Sequence, residues 1–293
     1  MKPTIAVTMG DPAGIGPEII VKALDSQQIK KIANCIIVGN KSILEDACKR
    51  CGISREILDA PEIEIVNIPT VEAGSYKYGE ISGECGKASY EYIAEAIKLV
   101  QEGKAQAVAT APINKESLKA GNIPYIGHTE IFGGLTKTDD PLTLFEVKNL
   151  RIFFLSRHVS LQKACSMVTK ERIVDYVVRC TQALNQLGIT KGTMAIAGLN
   201  PHSGEHGLFG SEEMEQIAPA VELLKSKGYN VAGPVSADSV FHLALQGRYN
   251  SVLSLYHDQG HIAAKTYDFE RTISITCGMD VLRTSVDHGT AFD

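Results

Sequence analysis

Three short apolar runs in the second half of this 293-residue chain each stop at a histidine. Arg151-Ile152-Phe153-Phe154-Leu155 leads to His158, Met194-Ala195-Ile196-Ala197 leads through Gly198-Leu199-Asn200-Pro201 to His202, and Val252-Leu253-Ser254-Leu255 leads to His257. Runs of this length and composition read as buried strands. A residue just beyond such a strand stands at its carboxyl end, where open α/β sheets place their ligands. Neutral imidazole is the commonest metal ligand, and Asp258 can either join a metal or hold the His257 ring in one tautomer. A hydrogen-bonded strand-end histidine explains any one of these positions, whereas the repetition favours a common divalent ion.

Strand and helix signals alternate along the rest of the chain. Thr4–Met9 reads as a strand, Gly10-Asp11-Pro12-Ala13-Gly14-Ile15-Gly16-Pro17-Glu18 as a glycine-rich loop, and the residues through Leu24 as a helix. The loop either offers backbone N–H groups to an anion at the helix start or is a tight turn; its spacing matches neither the dinucleotide fingerprint nor the phosphate-binding loop. Cys35–Gly39 and Ile63–Val66 give two more strands around a helix starting at Ser42, and Ala105–Ala109 follows a long loop and a helix over 86–103. Lys115, past that strand, either neutralises an anion or is a solvated lysine at a helix start. His128 and Thr129 open another helix, as anion donors or with Thr129 as a cap. Leu142–Val147 and Arg151–Leu155 flank Lys148-Asn149 as a hairpin, an antiparallel insertion whose exposed edge predicts a dimer contact. A helix follows from about Thr169 to Leu187. Asp238 lies at a strand-to-helix turn, where it suits an N-cap as well as a ligand, and Thr272–Thr276 is strand-like.

Composition bounds the class. With 44% hydrophobic residues the chain can build two α/β lobes, expected over 1–122 with 268–293 and over 123–267, the second carrying the metal site and the dimer contacts. A net charge of −5 without a Lys/Arg run argues against nucleic acid, so any anionic ligand must be met by locally placed groups. No stretch approaches the roughly 20 apolar residues of a membrane span. The amino terminus leaves no room for a signal peptide, so a cytoplasmic protein is expected. Seven scattered cysteines read as reduced small hydrophobes, including the Cys48/Cys51 pair late in a helical pattern.

The motifs in combination resemble a known family. Gly10-Asp11-Pro12, Gly127-His128-Thr129-Glu130, Asn200-Pro201-His202, Tyr256-His257-Asp258-Gln259-Gly260 and Arg283-Thr284-Ser285-Val286-Asp287-His288-Gly289-Thr290-Ala291 run the length of the chain. They are similar to the 4-hydroxythreonine-4-phosphate dehydrogenases of vitamin B6 biosynthesis and to their relatives that oxidise D-threonate and D-erythronate 4-phosphate. The resemblance implies two α/β/α lobes with a central cleft, as in isocitrate and isopropylmalate dehydrogenases, and a homodimer. It implies NAD and a divalent ion (Zn, Mg, Co or Mn) held by His158, His202 and His257 across the dimer. The substrate phosphate and carboxylate would meet His128, Thr129, Lys265 and Arg283. Ser274 stands where the family has an asparagine, and a hydroxyl lacks the reach and the donor–acceptor pair of an amide. Lys265, Asp258 and Asp287 are the proton-transfer candidates, and Asp238, His288 and Gly289 the cofactor-side candidates. Relatives usually continue about one helix beyond Asp293, so NAD binding depends on whether the chain truly ends there. Gly260-His261-Ile262 and Ala291-Phe292-Asp293 look more like the sugar-acid branch, whose product would be dihydroxyacetone phosphate. The biosynthetic activity on 4-hydroxy-L-threonine 4-phosphate is the alternative. Two other classes are weighed: a phosphate acyltransferase, which needs no metal, and a zinc-stabilised binding protein, whose site would be closed and four-coordinate.

Overall fold

The alternating signals become strands that pair mostly in parallel. The computed structural model describes residues 2–286 and 288–292. Its strands are β1 (Thr4–Thr8), β2 (Asn34–Gly39), β3 (Ile63–Asn67), β4 (Ala107–Thr110), β5 (Leu142–Val147), β6 (Leu150–Phe154), β7 (Met194–Ala197), β8 (Val231–Val235), β9 (Ser251–Ser254), β10 (Ile273–Cys277) and β11 (Arg283–Ser285). Two compact units result, one from residues up to Pro141 with those from Met279 onward, the other from Leu142–Gly278. These limits differ from 122/123 and 267/268 because Ile131 and Phe132 are buried in the first unit's core and β10 is hydrogen-bonded to β5 in the second.

The first unit has strand order β3-β2-β1-β4-β11, every pair parallel. Its helices are α1 (Gly16–Asp25), α2 (Gln27–Ile32), α3 (Lys41–Cys51), α4 (Gly83–Gln101), α5 (Lys115–Ala120) and α6 (His128–Thr136). Local chemistry sets several helix starts: Asn40 accepts from Ser42 N at 2.9 Å, Ser82 from Cys85 N at 3.3 Å and Asn114 from Ser117 N at 2.9 Å. The glycine-rich loop is packed inward. A side chain at Gly16 would strike the Met9 carbonyl, and Asp11, fully buried, accepts from Ala13 N at 2.9 Å. Burial raises the Asp11 pKa, partly offset by bonds from Ala13, Ser117 and Asn114. The N–H groups of Asp11, Ala13, Gly14 and Ile15 are engaged within the protein, as a tight turn requires.

The second unit has order β10-β5-β6-β9-β7-β8, antiparallel from β10 to β6 and parallel from β6 to β8. The predicted hairpin is present, but it has no open edge: β10 pairs with β5 and β9 with β6. Its helices are α7 (Leu161–Ser166), α8 (Lys170–Gln186), α9 (Ala218–Ser226), α10 (Ala237–Leu245) and α11 (His257–Tyr267). α8 begins where Thr169 accepts from Arg172 N at 3.3 Å, and buries Ile173, Tyr176, Val177, Cys180, Ala183 and Leu184 along one stripe. Each large apolar side chain there contributes roughly 1.5–3 kcal/mol. No helix among the described residues is long and apolar enough to cross a membrane.

Candidate active site

β6, β9 and β7 are adjacent and parallel, so their carboxyl ends share one edge of the second unit's sheet. His158, His257 and His202 each follow one of those ends. His257 is the first residue of α11, which places Asp258 beside it; the ring's Nδ1 donates to Asp258 Oδ1 at 2.6 Å. That pairing fixes the tautomer and leaves the Nε2 lone pair for an ion. The His158 and His257 ring centroids are 5.7 Å apart. Two imidazoles on one tetrahedral zinc, with Zn–N near 2.1 Å, have centroids about 5 Å apart, so this pair suits two ligands of one ion. Both rings line an open cavity of about 290 Å³ with Arg157 and Tyr256. His261, one turn along α11, stacks on His257 at 3.6 Å and 11°, and its Nδ1 donates to the His257 carbonyl at 2.8 Å.

His202 faces elsewhere. It lines a separate depression of about 300 Å³ with His206 and Glu213, and among the described residues no three His, Cys, Asp or Glu side chains of one chain form an ion-holding group. His202, Ser203, Gly204, Glu205 and His206 have φ of 52°, 54°, 78°, 42° and 55°, a left-handed turn in which four residues are not glycine. Left-handed helix costs about 1–2 kcal/mol per ordinary residue, so the surroundings must impose it. Nothing in the composition announced that turn. Gln259, buried two residues past His257, accepts from Leu255 N at 2.7 Å and donates to the Gly198 carbonyl at 2.9 Å. It thereby ties the loop carrying His257 to the one carrying His202.

In the first unit a second cluster forms around α6. Gly127 is the cap residue and no side chain caps the helix, so Thr129 is a first-turn residue and not the predicted cap. Arg283, at the start of β11, is 6% exposed; its Nε and Nη2 each donate to Thr110 Oγ1 at 3.0 Å, and its guanidinium lies 5.7 Å from the centre of the Phe132 ring. Burial lowers its pKa to about 10. Burial, reinforced by the Arg283 charge, drives the His128 pKa below the usual histidine range, against the opposing hydrogen bond to the Ala111 backbone. The His128 Nε2 is sealed from solvent and has no hydrogen-bond partner among the described residues. A neutral ring bonded to a carbonyl through Nδ1–H leaves Nε2 as an orphaned acceptor, which becomes a donor once an anion arrives. The exposed Lys115 has its Cε 3.8 Å from where a Gly127 side chain would begin, at the same helix start.

The remaining candidates are more dispersed. Lys265 is eight residues past His257, about 12 Å along the α11 axis, with its ammonium 5.2 Å from the Phe269 ring centre. Ser274 is half-buried on β10 opposite Phe145. Asp238 is in the first turn of α10, where Ser236 holds the cap position, and it makes no cap bond. His288 is exposed, with Nδ1 donating to the Gly289 carbonyl at 2.9 Å; Asp287 lies outside the described residues. All seven cysteines are free, and burial raises the Cys48 pKa, the opposite of a reactive thiol.

The model of the family described as "Pyridoxal phosphate biosynthetic protein PdxA" matches residues 31–293. The chain belongs to the PdxA family. A Fusobacterium nucleatum member named "Putative D-threonate 4-phosphate dehydrogenase" is 57% identical across all of this chain and 91% of its own length. A Clostridium botulinum protein of the same name is 55% identical across all of this chain and 90% of its own. The crystal structure of a 4-hydroxythreonine-4-phosphate dehydrogenase from Klebsiella pneumoniae aligns with a TM-score of 0.91 at 36% identity, covering all of this chain and 92% of that one. These PdxA-family relatives thus carry dehydrogenase names throughout.

Proposed function

We propose that the chain is an NAD- and divalent-metal-dependent dehydrogenase that oxidises and decarboxylates D-threonate 4-phosphate or its epimer D-erythronate 4-phosphate to dihydroxyacetone phosphate. The observation that carries this reading is the set of three histidines at the ends of adjacent parallel strands, with the His158 and His257 rings 5.7 Å apart. The donor chemistry suits a borderline-soft divalent ion, with His158, His202 and His257 as its holders. His202 opens on a different depression from the other two, which favours a site shared between two copies of the chain. A homodimer is also supported by exposed Leu208, Phe209 and Met214 beside the His202 turn.

When bound, the ion supplies Lewis acidity and the nicotinamide supplies a hydride acceptor. The chain's own groups do the rest. His128, Thr129 and Arg283 hold the substrate's anionic groups through charge-assisted bonds. Asp258 keeps the His257 ring in one tautomer. Loss of hydride from the hydroxyl-bearing carbon β to the carboxylate and of a proton from its oxygen gives a β-keto acid; carbon dioxide then leaves, and Lys265 is the candidate that returns a proton to the carbon it vacates. The sum is substrate and NAD⁺ giving dihydroxyacetone phosphate, carbon dioxide and NADH.

The choice of ester follows the 57% identity to a relative named for D-threonate 4-phosphate, against 36% to the solved 4-hydroxythreonine enzyme. The test is the rate of NADH formation by purified protein with D-threonate, D-erythronate and 4-hydroxy-L-threonine 4-phosphates. The highest kcat/KM falls on one of the two sugar-acid phosphates. A preference of tenfold or more for the amino-acid ester would overturn the substrate assignment.

A further inference from the structure

Glu213 is a carboxylate only 2% exposed, yet it faces no cation in the bonds that hold it. Its Oε1 accepts from the backbone N–H groups of Leu199 and Asn200, each at 2.7 Å, and its Oε2 accepts from Asn200 Nδ2 at 2.9 Å. The same Asn200 amide also donates to Glu212 Oε2 at 2.7 Å, so its orientation is fixed from both sides. These two residues are the last before Pro201 and the left-handed turn that opens at His202. The far side of that turn is held too. A side chain at Gly204 would begin 2.8 Å from Glu213 Oε2 and would press on that carboxylate.

Glu213 reaches this position through a second irregularity. It begins a π-helical turn over Glu213–Ile217, in which Ala218 N–H donates to the Glu213 carbonyl five residues back. Such one-residue insertions re-aim a side chain without breaking the helix, and they recur at functional sites. Burial alone would raise the Glu213 pKa, but the bonds from the Asn200 backbone and side chain and from Leu199 outweigh it, so the carboxylate stays ionised. A left-handed turn, a π turn and a buried carboxylate therefore meet at one loop.

We infer that Glu213 is the positioning residue for His202: it clamps Leu199 and Asn200 so that the left-handed turn presents the imidazole in one place for the divalent ion. The inference rests on the reading of His202 as a metal ligand. It assigns Glu213 no contact with substrate or ion. Glu213→Gln is the sparing substitution. It keeps the size and one acceptor oxygen, but sets an amide N–H against the Asn200 amide; relieving that clash by turning Asn200 over forfeits the bond to Glu212.

The experiment is titration of metal-free protein with Zn²⁺ alone, following competition with a chromophoric chelator, for the wild type, Glu213→Gln and His202→Ala at a temperature where all are folded. Outer groups that orient a ligand typically change metal affinity 10–100-fold, and a loss in that range is expected for Glu213→Gln. His202→Ala should lose at least as much. Hydrogen exchange of the same metal-free proteins should rise over 199–210 in Glu213→Gln and stay unchanged over 251–267. Wild-type zinc affinity in Glu213→Gln with weakened binding in His202→Ala overturns the clamp while leaving the metal site standing. Wild-type affinity in His202→Ala overturns both. If Glu213→Gln does not fold, Asn200→Ala removes only the side-chain half of the clamp; weakened zinc binding there supports the inference and wild-type affinity overturns it.

Discussion

Arg283 and His128 carry the proposed anion site, and each makes a separate prediction. Arg283 is nearly fully buried against a threonine hydroxyl and a phenyl ring, and burial lowers its pKa to about 10. Arg283→Met removes the charge and keeps much of the volume. The substitution should lower kcat/KM for the phosphorylated substrate by about 2–4 kcal/mol in free-energy terms while moving the melting temperature by only a few degrees. Inorganic phosphate at about 100 times its Kd should stabilise the wild type by about 2.7 kcal/mol and leave the variant unmoved; equal stabilisation of both would place the anion elsewhere. His128 gives a pH signature. Its folded pKa lies below the unfolded value near 6.5, so the unfolded chain binds the proton first and stability falls as pH drops below about 6.5. The slope from this one group is at most about 1.4 kcal/mol per pH unit. Urea unfolding at a series of pH values should show that slope in the wild type, and His128→Gln should lose this part of it; an unchanged profile would mean the ring is not buried neutral.

Among the elements, the frame linking the loops after β7 and β9 is the most exposed to single changes. Gln259→Leu would leave the Leu255 N–H and the Gly198 carbonyl without their partner, at about 1–3 kcal/mol for each buried group. Urea denaturation reads this directly, and a variant as stable as the wild type would show that the bridge carries nothing. This frame also marks where sequence reading stops. The strand-end histidines were legible because an apolar run followed by histidine is a local signal, and β1 to β4 were legible because their apolar runs are local too. β11 was not: Arg283-Thr284-Ser285 has no apolar pattern, and it becomes a strand through tertiary pairing, β4 among its partners. The hairpin was read correctly as a hairpin but wrongly as an edge, since β10, which closes it, comes far later in the chain. The left-handed turn at His202 packs against Glu213, and ordinary residues at positive φ leave no trace in composition. Thr129 suited an N-cap by residue type, yet Gly127 occupies that position.

For the whole molecule, the proposed shared metal site and the proposed dimer stand or fall together. Leu208 is 71% exposed beside the His202 turn, and Leu208→Asp should shift the protein from dimer to monomer in analytical ultracentrifugation and reduce turnover at least tenfold. A wild-type monomer with full activity would remove the reason for sharing the histidines between copies. The family motifs spanned the chain and led to the PdxA family directly, because each is a run of adjacent residues. What they leave to experiment is the chemistry. The most direct test uses D-threonate 4-phosphate labelled with carbon-13 in the carboxylate, incubated with NAD⁺ and either metal-stripped or metal-restored protein. The account predicts labelled carbon dioxide and NADH in equal amounts from the restored protein and neither from the stripped one. NADH without labelled carbon dioxide, or equal turnover with and without metal, would contradict it.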